Sequence, residues 1–141
     1  MAYTHSHFGV YALVLNNKQD KVLLIKKARG PYTGMFDLPG GSPEPLELLE
    51  ETLCREVKEE TDCNITRAEQ VGGVSARFNY KKDGEDALLR HLGIVYRIEI
   101  EGIPRTDSDG EDSHGCVWLN ISDINEENAT PFVFKAIKQY S

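Results

Sequence analysis

The run from Gly9 to Leu15 (GVYALVL) is apolar and rich in β-branched residues, and a second run of strand length, Lys21 to Lys27 (KVLLIKK), follows it. Asn16 to Asp20 (NNKQD) supplies turn chemistry between them, so the two are expected to form a hairpin. Ala28 to Asp37 reads as a Gly- and Pro-containing connection into Leu38-Pro39-Gly40-Gly41, whose glycines permit positive φ and close approach of backbone to a ligand. Leu46 to Glu60 (LELLEETLCREVKEE) holds strong helix formers and no Gly or Pro, with Pro43 and Pro45 just ahead, where proline suits a helix start. Gln70 to Phe78 and Leu89 to Ile100 read as strands around a polar turn at Lys81 to Asp86. Thr106 to Ser113 is an acidic loop, Cys116 to Leu119 a further short strand, and Thr130-Pro131 opens a last helix running to Gln139. Strands outnumber helices and are partly joined by hairpins, which predicts a mixed-sheet α+β or α/β sandwich and not a doubly wound parallel sheet.

On a helical wheel Leu49, Leu53 and Val57 form one stripe, four residues apart, which is the expected core face. Glu56, Glu59 and Glu60 fall within that arc or beside it in the last turns, while Glu47, Glu51, Arg55 and Lys58 lie opposite. Like charges at i and i+4 repel, and anions near a helix C-terminus oppose the helix dipole, so the cluster is unfavourable by itself. A divalent cation reverses both penalties, and all-oxygen carboxylate ligation suits Mg²⁺ or Mn²⁺. The bland alternative is a solubilising charge run on a helix end.

At 141 residues the chain is the length of one domain, and it carries no internal repeat or low-complexity tract. Sixteen Lys and Arg against 23 Asp and Glu leave a net charge of −7, which argues against a general nucleic-acid surface or a basic membrane patch. A phosphate ligand would therefore need a screening cation. Cys54, Cys63 and Cys116 are an odd count without metal-ligand spacing, and the start lacks a secretory signal, so a reduced cytoplasmic protein with buried cysteines is expected.

The order of residues sharpens the reading. From Gly41 the chain runs five residues to Glu47, seven more to Arg55-Glu56-Val57, then Glu59-Glu60 and Asp62-Cys63. This resembles the Nudix box, G-x5-E-x7-R-E-U-x-E-E-x-G-U with U apolar, the signature of hydrolases acting on nucleoside diphosphates linked to another moiety. Every charged position matches. The one departure is Asp62 in place of the final glycine, a residue that also tolerates the left-handed helix exit glycine provides there.

The resemblance implies the Nudix fold, an α/β/α sandwich with a mixed sheet, over a single domain at 1–141. It implies divalent-cation binding by Glu56, Glu59 and Glu60, with the Gly40 carbonyl as a further ligand and Mg²⁺, or Mn²⁺, as the cofactor. Glu47, Arg55 and Gly41 take structural roles in support of the site. Candidates for the general base are Glu56, then Asp112 in the acidic loop, with Glu59 also among the catalytic carboxylates and Glu111 beside them. Lys26, Lys27 and Arg29 lead towards the Gly-Gly turn, from which relatives reach substrate phosphates. Phe36, Phe78 and Tyr80 are aromatic candidates for base contact or core packing.

The expected activity is metal-dependent hydrolysis of a pyrophosphate bond in a nucleoside di- or triphosphate or nucleotide derivative, by water attack on phosphorus. Nucleoside triphosphates, oxidised purine forms among them, come first. Tyr80 stands 17 residues beyond Cys63, where subfamily members acting on dinucleotide polyphosphates carry a tyrosine, which keeps that substrate as an alternative. A non-catalytic nucleotide sensor is the rival reading, against which the retained Glu47, Glu56, Glu59 and Glu60 speak. The partners expected are a small nucleotide and, as an option, a second copy in a homodimer, with no nucleic-acid polymer and no membrane. Asp107 to Gly110 does not fit a calcium-binding loop, and His5, His7 and His91 lack ligand spacing.

Overall fold

The computed structural model describes residues 3–107 and 113–141. Strand β1 (Tyr3–Leu13) is the spine of a four-stranded mixed sheet in the order β4-β1-β6-β5. β6 (Glu85–Glu101) runs parallel to it from Tyr3↔Ala87 to Leu13↔Arg97, and the short β4 (Gly40–Gly41) lies antiparallel on its other edge, Val10 opposite Gly41. β5 (Asn64–Lys82) returns as the antiparallel partner of β6 through a tight turn at Asp83 and Gly84, both at positive φ. A second sheet, β3-β2-β7, joins β2 (Lys21–Lys27) to β3 (Phe36–Asp37) and β7 (Ser113–Asn120).

The expected hairpin of the first two strands is therefore confined to its base. Leu15 bridges Val22 and the Leu23 amide donates to the Val14 carbonyl at 2.9 Å, after which the strands part into different sheets. The reason lies in β1: its two edges are taken by β4 and β6, and its interior is buried on both faces, so its continuous apolar run carries no edge preference.

Helix α1 (Leu49–Thr61) covers one face, packing Leu53 and Val57 on Val10, Ala12 and Val14. Helix α2 (Pro131–Tyr140) covers the other, with Phe132, Val133 and Ala136 against Tyr11, Leu13 and Leu24. The architecture is the mixed-sheet α+β sandwich read from the sequence. α1 begins three residues later than the propensity run. It ends on Asp62, which takes the left-handed conformation (φ 61°) while its amide donates to the Lys58 carbonyl. Cys63 and Cys116 are buried, but Cys54 is exposed on the outer side of α1, a correction to the expectation of three buried thiols. Among the described residues no helix is long and apolar enough to cross a membrane.

Candidate metal and hydrolase site

Pairing of Gly40 and Gly41 with β1 holds their backbone against the C-terminal half of α1. The Gly40 amide donates to Glu60 Oε1 at 2.7 Å, and Glu60 is only 2% exposed. Gly40 has φ 147°, and a Cβ there would stand 2.1 Å from the Val10 carbonyl, so only glycine fits the pairing. At Gly41 a Cβ would stand 2.7 Å from Glu56 Oε1. The two glycines thus form a cradle that receives both buried carboxylates of the helix.

Arg55 fastens this corner to the loop ahead of α1. Its Nε and Nη2 donate to Glu47 Oε2 and Oε1 at 2.7 and 2.9 Å, its Nη2 donates to the Ser42 carbonyl at 3.1 Å, and its Nη1 donates to Glu56 Oε1 at 2.8 Å. Glu47 Oε1 also accepts from the Glu44 amide and the Thr52 hydroxyl. Hydrogen bonds from the guanidinium first, then the Glu44 amide and Thr52, hold the Glu47 carboxyl down at about 2, and the same pairing raises the Arg55 pKa. Glu59 is exposed and touches Arg55 only at its margin, Nη1 to Oε2 3.4 Å.

The structure therefore brings together Gly40, Gly41, Glu47, Arg55, Glu56 and Glu60, with Glu59 at the rim. Among the described residues no three carboxylate, imidazole or thiol groups already converge as a ligand set. The donors nevertheless fit a hard divalent cation: all are oxygens, two are carboxylates gathered on one glycine cradle, and the third is a side chain with solvent around it in which to turn. Asp112 and Glu111 lie outside the described residues.

Lys26 is exposed, its ammonium 6.0 Å from the Phe36 ring centroid. Lys27 is half-buried and lowers the pKa values of both Asp37 and His91, and Arg29 is exposed in the loop beyond β2. Tyr80 sits apart from the glycine corner. Its hydroxyl contacts His5 Nδ1 at 3.2 Å in an open cleft of about 540 Å³ lined also by Tyr3, Pro31, Lys81 and Lys82. His5 precedes Val10, the partner of Gly41, by five residues, roughly 17 Å along the strand.

A buried polar cluster on the α2 face went unforeseen. His91 stacks on Phe132 at 3.7 Å between centroids, its Nε2 meeting the Tyr11 hydroxyl at 2.6 Å and its Nδ1 the Tyr32 hydroxyl at 3.0 Å. Burial above all pushes its pKa down to about 3, so the imidazole is neutral. Asp37 is buried near the two tyrosines, accepting from the Thr130 hydroxyl at 2.9 Å and the Leu38 amide at 2.8 Å. Burial raises its pKa to about 6. Thr130 was legible as the helix cap, but its hydroxyl serves Asp37 and not the α2 backbone.

The model of the NUDIX domain matches residues 5–140. The chain is 34% identical over 100 residues to an ADP-ribose pyrophosphatase of Methanocaldococcus jannaschii, covering 71% of this chain and 54% of that protein. It is 47% identical over 51 residues to the 8-oxo-dGDP phosphatase NUDT18 of Homo sapiens, covering 36% of this chain and 16% of that one. The match thus spans about half the length of the archaeal relative and less of the human one. Among solved structures, a MutT NUDIX hydrolase from Burkholderia pseudomallei superposes with a TM-score of 0.75 at 25% identity, covering 97% of this chain and 99% of that chain.

Proposed function

The chain belongs to the NUDIX family, and from that premise we propose that it hydrolyses a pyrophosphate bond of a nucleoside di- or triphosphate or nucleotide derivative, using Mg²⁺ or Mn²⁺. The observation that carries this reading is the gathering of Glu56 and Glu60 on the Gly40–Gly41 cradle, with Arg55 and Glu47 braced behind them. Glu56, Glu59, Glu60 and the Gly40 carbonyl are the proposed ligands. The bound cation supplies neutralisation of phosphate charge and a water of lowered pKa.

The remaining work falls to the protein's own groups. The Gly40 amide fixes Glu60, and Arg55 Nη1 holds Glu56 Oε1 in place. Glu59, exposed at the rim, is better suited than Glu56 to accept the proton of the attacking water, with Asp112 as the alternative base. Lys26, Lys27 and Arg29 offer positive charge to the phosphates of a substrate approaching a protein of charge −7. Tyr80 serves the more distant part of a larger substrate, such as a dinucleotide polyphosphate or a sugar-linked diphosphate.

A phosphate-release assay over nucleoside triphosphates including oxidised purines, ADP-ribose and dinucleotide polyphosphates, with Mg²⁺ or Mn²⁺, tests the proposal. Turnover lost in Glu60→Gln supports it. Nucleotide binding without turnover across the panel overturns it in favour of a sensor.

A further inference from the structure

Leu46 and Leu48 stand in the connection to α1 with 100% and 66% of their surface exposed, and Leu46 holds φ at +69°. A left-handed backbone is unfavourable for any residue with a side chain, and no described residue covers this leucine to offset it. The connection is tied at both ends over one face of the large sheet. Ser42 Oγ donates to the Phe8 carbonyl at 3.1 Å, and Glu50 accepts from the Tyr96 hydroxyl at 3.2 Å.

Beyond α1, towards the start of β1, that face continues with Phe8 and Leu92, which open on a cleft that Lys135 and Gln139 of α2 also line. Phe8 is 42% exposed, with Leu92 beside it in register. Next come Arg77 and Arg90, set directly opposite each other on neighbouring strands. Like charges so placed repel. Arg90 Nε donates to Ser6 Oγ at 2.9 Å, while Arg77 makes no hydrogen bond or ion pair with a described residue.

The surface thus has an apolar centre in Phe8, Leu46, Leu48 and Leu92, an acidic end at Glu50 and Glu51, and a basic end at Arg77 and Arg90. Such a pattern is complementary to itself when turned about a two-fold axis. A generic acidic partner would meet Glu50 and Glu51, and a generic basic one the two arginines; a second copy satisfies both ends. We propose that this surface is the interface of an isologous homodimer, in which Leu46 and Leu48 of each copy seat on Phe8 and Leu92 of the other, and Glu50 and Glu51 face Arg77 and Arg90. The inference is independent of the hydrolase reading, since it concerns the sheet face and not the glycine corner.

Sedimentation equilibrium of the whole chain at low salt tests it. The expected mass is twice the 15.8 kDa of one chain. Leu46→Glu with Leu48→Glu should weaken association at least about tenfold. Ile103→Glu, at another exposed apolar position, should leave it unchanged. Arg77→Glu with Arg90→Glu, and Glu50→Lys with Glu51→Lys, should each give monomers alone and a dimer when mixed. Circular dichroism checks each fold, and if the leucine variant fails to fold, the charge-swapped mixture decides. A monomeric wild type at every concentration overturns the proposal, leaving the patch to another partner. A dimer that survives the arginine swap, or charge-swapped chains that do not associate on mixing, also overturns it.

Discussion

The Arg55 guanidinium holds both oxygens of the Glu47 carboxylate in a two-bond fork, and the same side chain reaches Glu56 through its remaining nitrogen. Lysine carries the charge but cannot make the fork. Arg55→Lys should therefore raise the Mg²⁺ concentration needed for half-maximal hydrolysis about 10- to 100-fold, the range typical of lost support to metal ligands. A metal titration with unchanged midpoint would count against the brace. Because pairing lowers the Glu47 pKa from 4.5 to about 2, its stabilisation is complete above pH 4.5 and is lost progressively as pH falls from there through about 2. Acid inactivation near pH 5 should therefore not trace to this pair.

Gly40 and Gly41 should fail differently when given a methyl group. At Gly40 the Cβ meets backbone, at 2.1 Å from the Val10 carbonyl and with φ at 147°, so Gly40→Ala should destabilise the fold by at least about 1–3 kcal/mol. At Gly41 the close neighbour is the Glu56 carboxylate, the end of a side chain that can turn away. Gly41→Ala should keep its urea midpoint near that of wild type and lose metal affinity. Equal losses of stability in the two variants would show that the cradle does not act on Glu56.

The glycine corner was legible because its chemistry follows one-dimensional spacing: Gly41, Glu47, Arg55, Glu56 and Glu60 lie within one loop and one helix. Glu59 shows the limit of that reading, since its place on the wheel did not reveal that it remains outside, against Arg55, while Glu56 and Glu60 go in. The parting of β1 from β2 was hidden for another reason. An apolar run buried on both faces is silent about which strands flank it. His91, Tyr11 and Tyr32 are joined across 80 and 59 positions of sequence, a distance over which no local pattern operates.

Asp37 should make the protein more stable in mild acid. Its pKa is about 6 in the fold against 3.8 ordinarily, so the folded chain binds the proton more tightly than the unfolded one. The resulting stabilisation is full below pH 3.8, declines between 3.8 and 6, and is absent above. Asn retains the oxygen that accepts from Thr130 and Leu38 and cannot ionise. Asp37→Asn should thus exceed wild type in stability at pH 8, by up to about 3 kcal/mol, with the advantage gone below pH 4. Urea unfolding at the two pH values checks this, and a pH-independent difference would remove Asp37 as the titrating group.

His91 offers a test in which three substitutions do less harm than one. His91→Phe preserves the stack on Phe132 but strips the buried Tyr11 and Tyr32 hydroxyls of their imidazole partner, at a cost of about 2–4 kcal/mol. Adding Tyr11→Phe and Tyr32→Phe removes the stranded hydroxyls and should restore most of that loss. The single variant should also lose an acid sensitivity of wild type. With its pKa depressed from 6.5 to about 3, neutral His91 contributes stability above pH 6.5 that is lost as pH falls towards 3. If the triple variant is less stable than the single one, hydroxyl satisfaction is not what holds the cluster.

Asp62 sets two small effects against each other. At φ 61° an aspartate is strained where glycine is not, which favours Asp62→Gly by about 1 kcal/mol. The substitution also removes the exposed pair between Lys58 Nζ and Asp62 Oδ1 at 3.3 Å, worth about 0.3–0.5 kcal/mol at low salt. Backbone relief is the larger, so Asp62→Gly should raise the melting temperature. Salt separates the two terms, because it screens the pair and leaves the backbone untouched. The gain should therefore widen as ionic strength rises, whereas a lower melting temperature in the variant at high salt would mean that Asp62 is held at this position by something other than its charge.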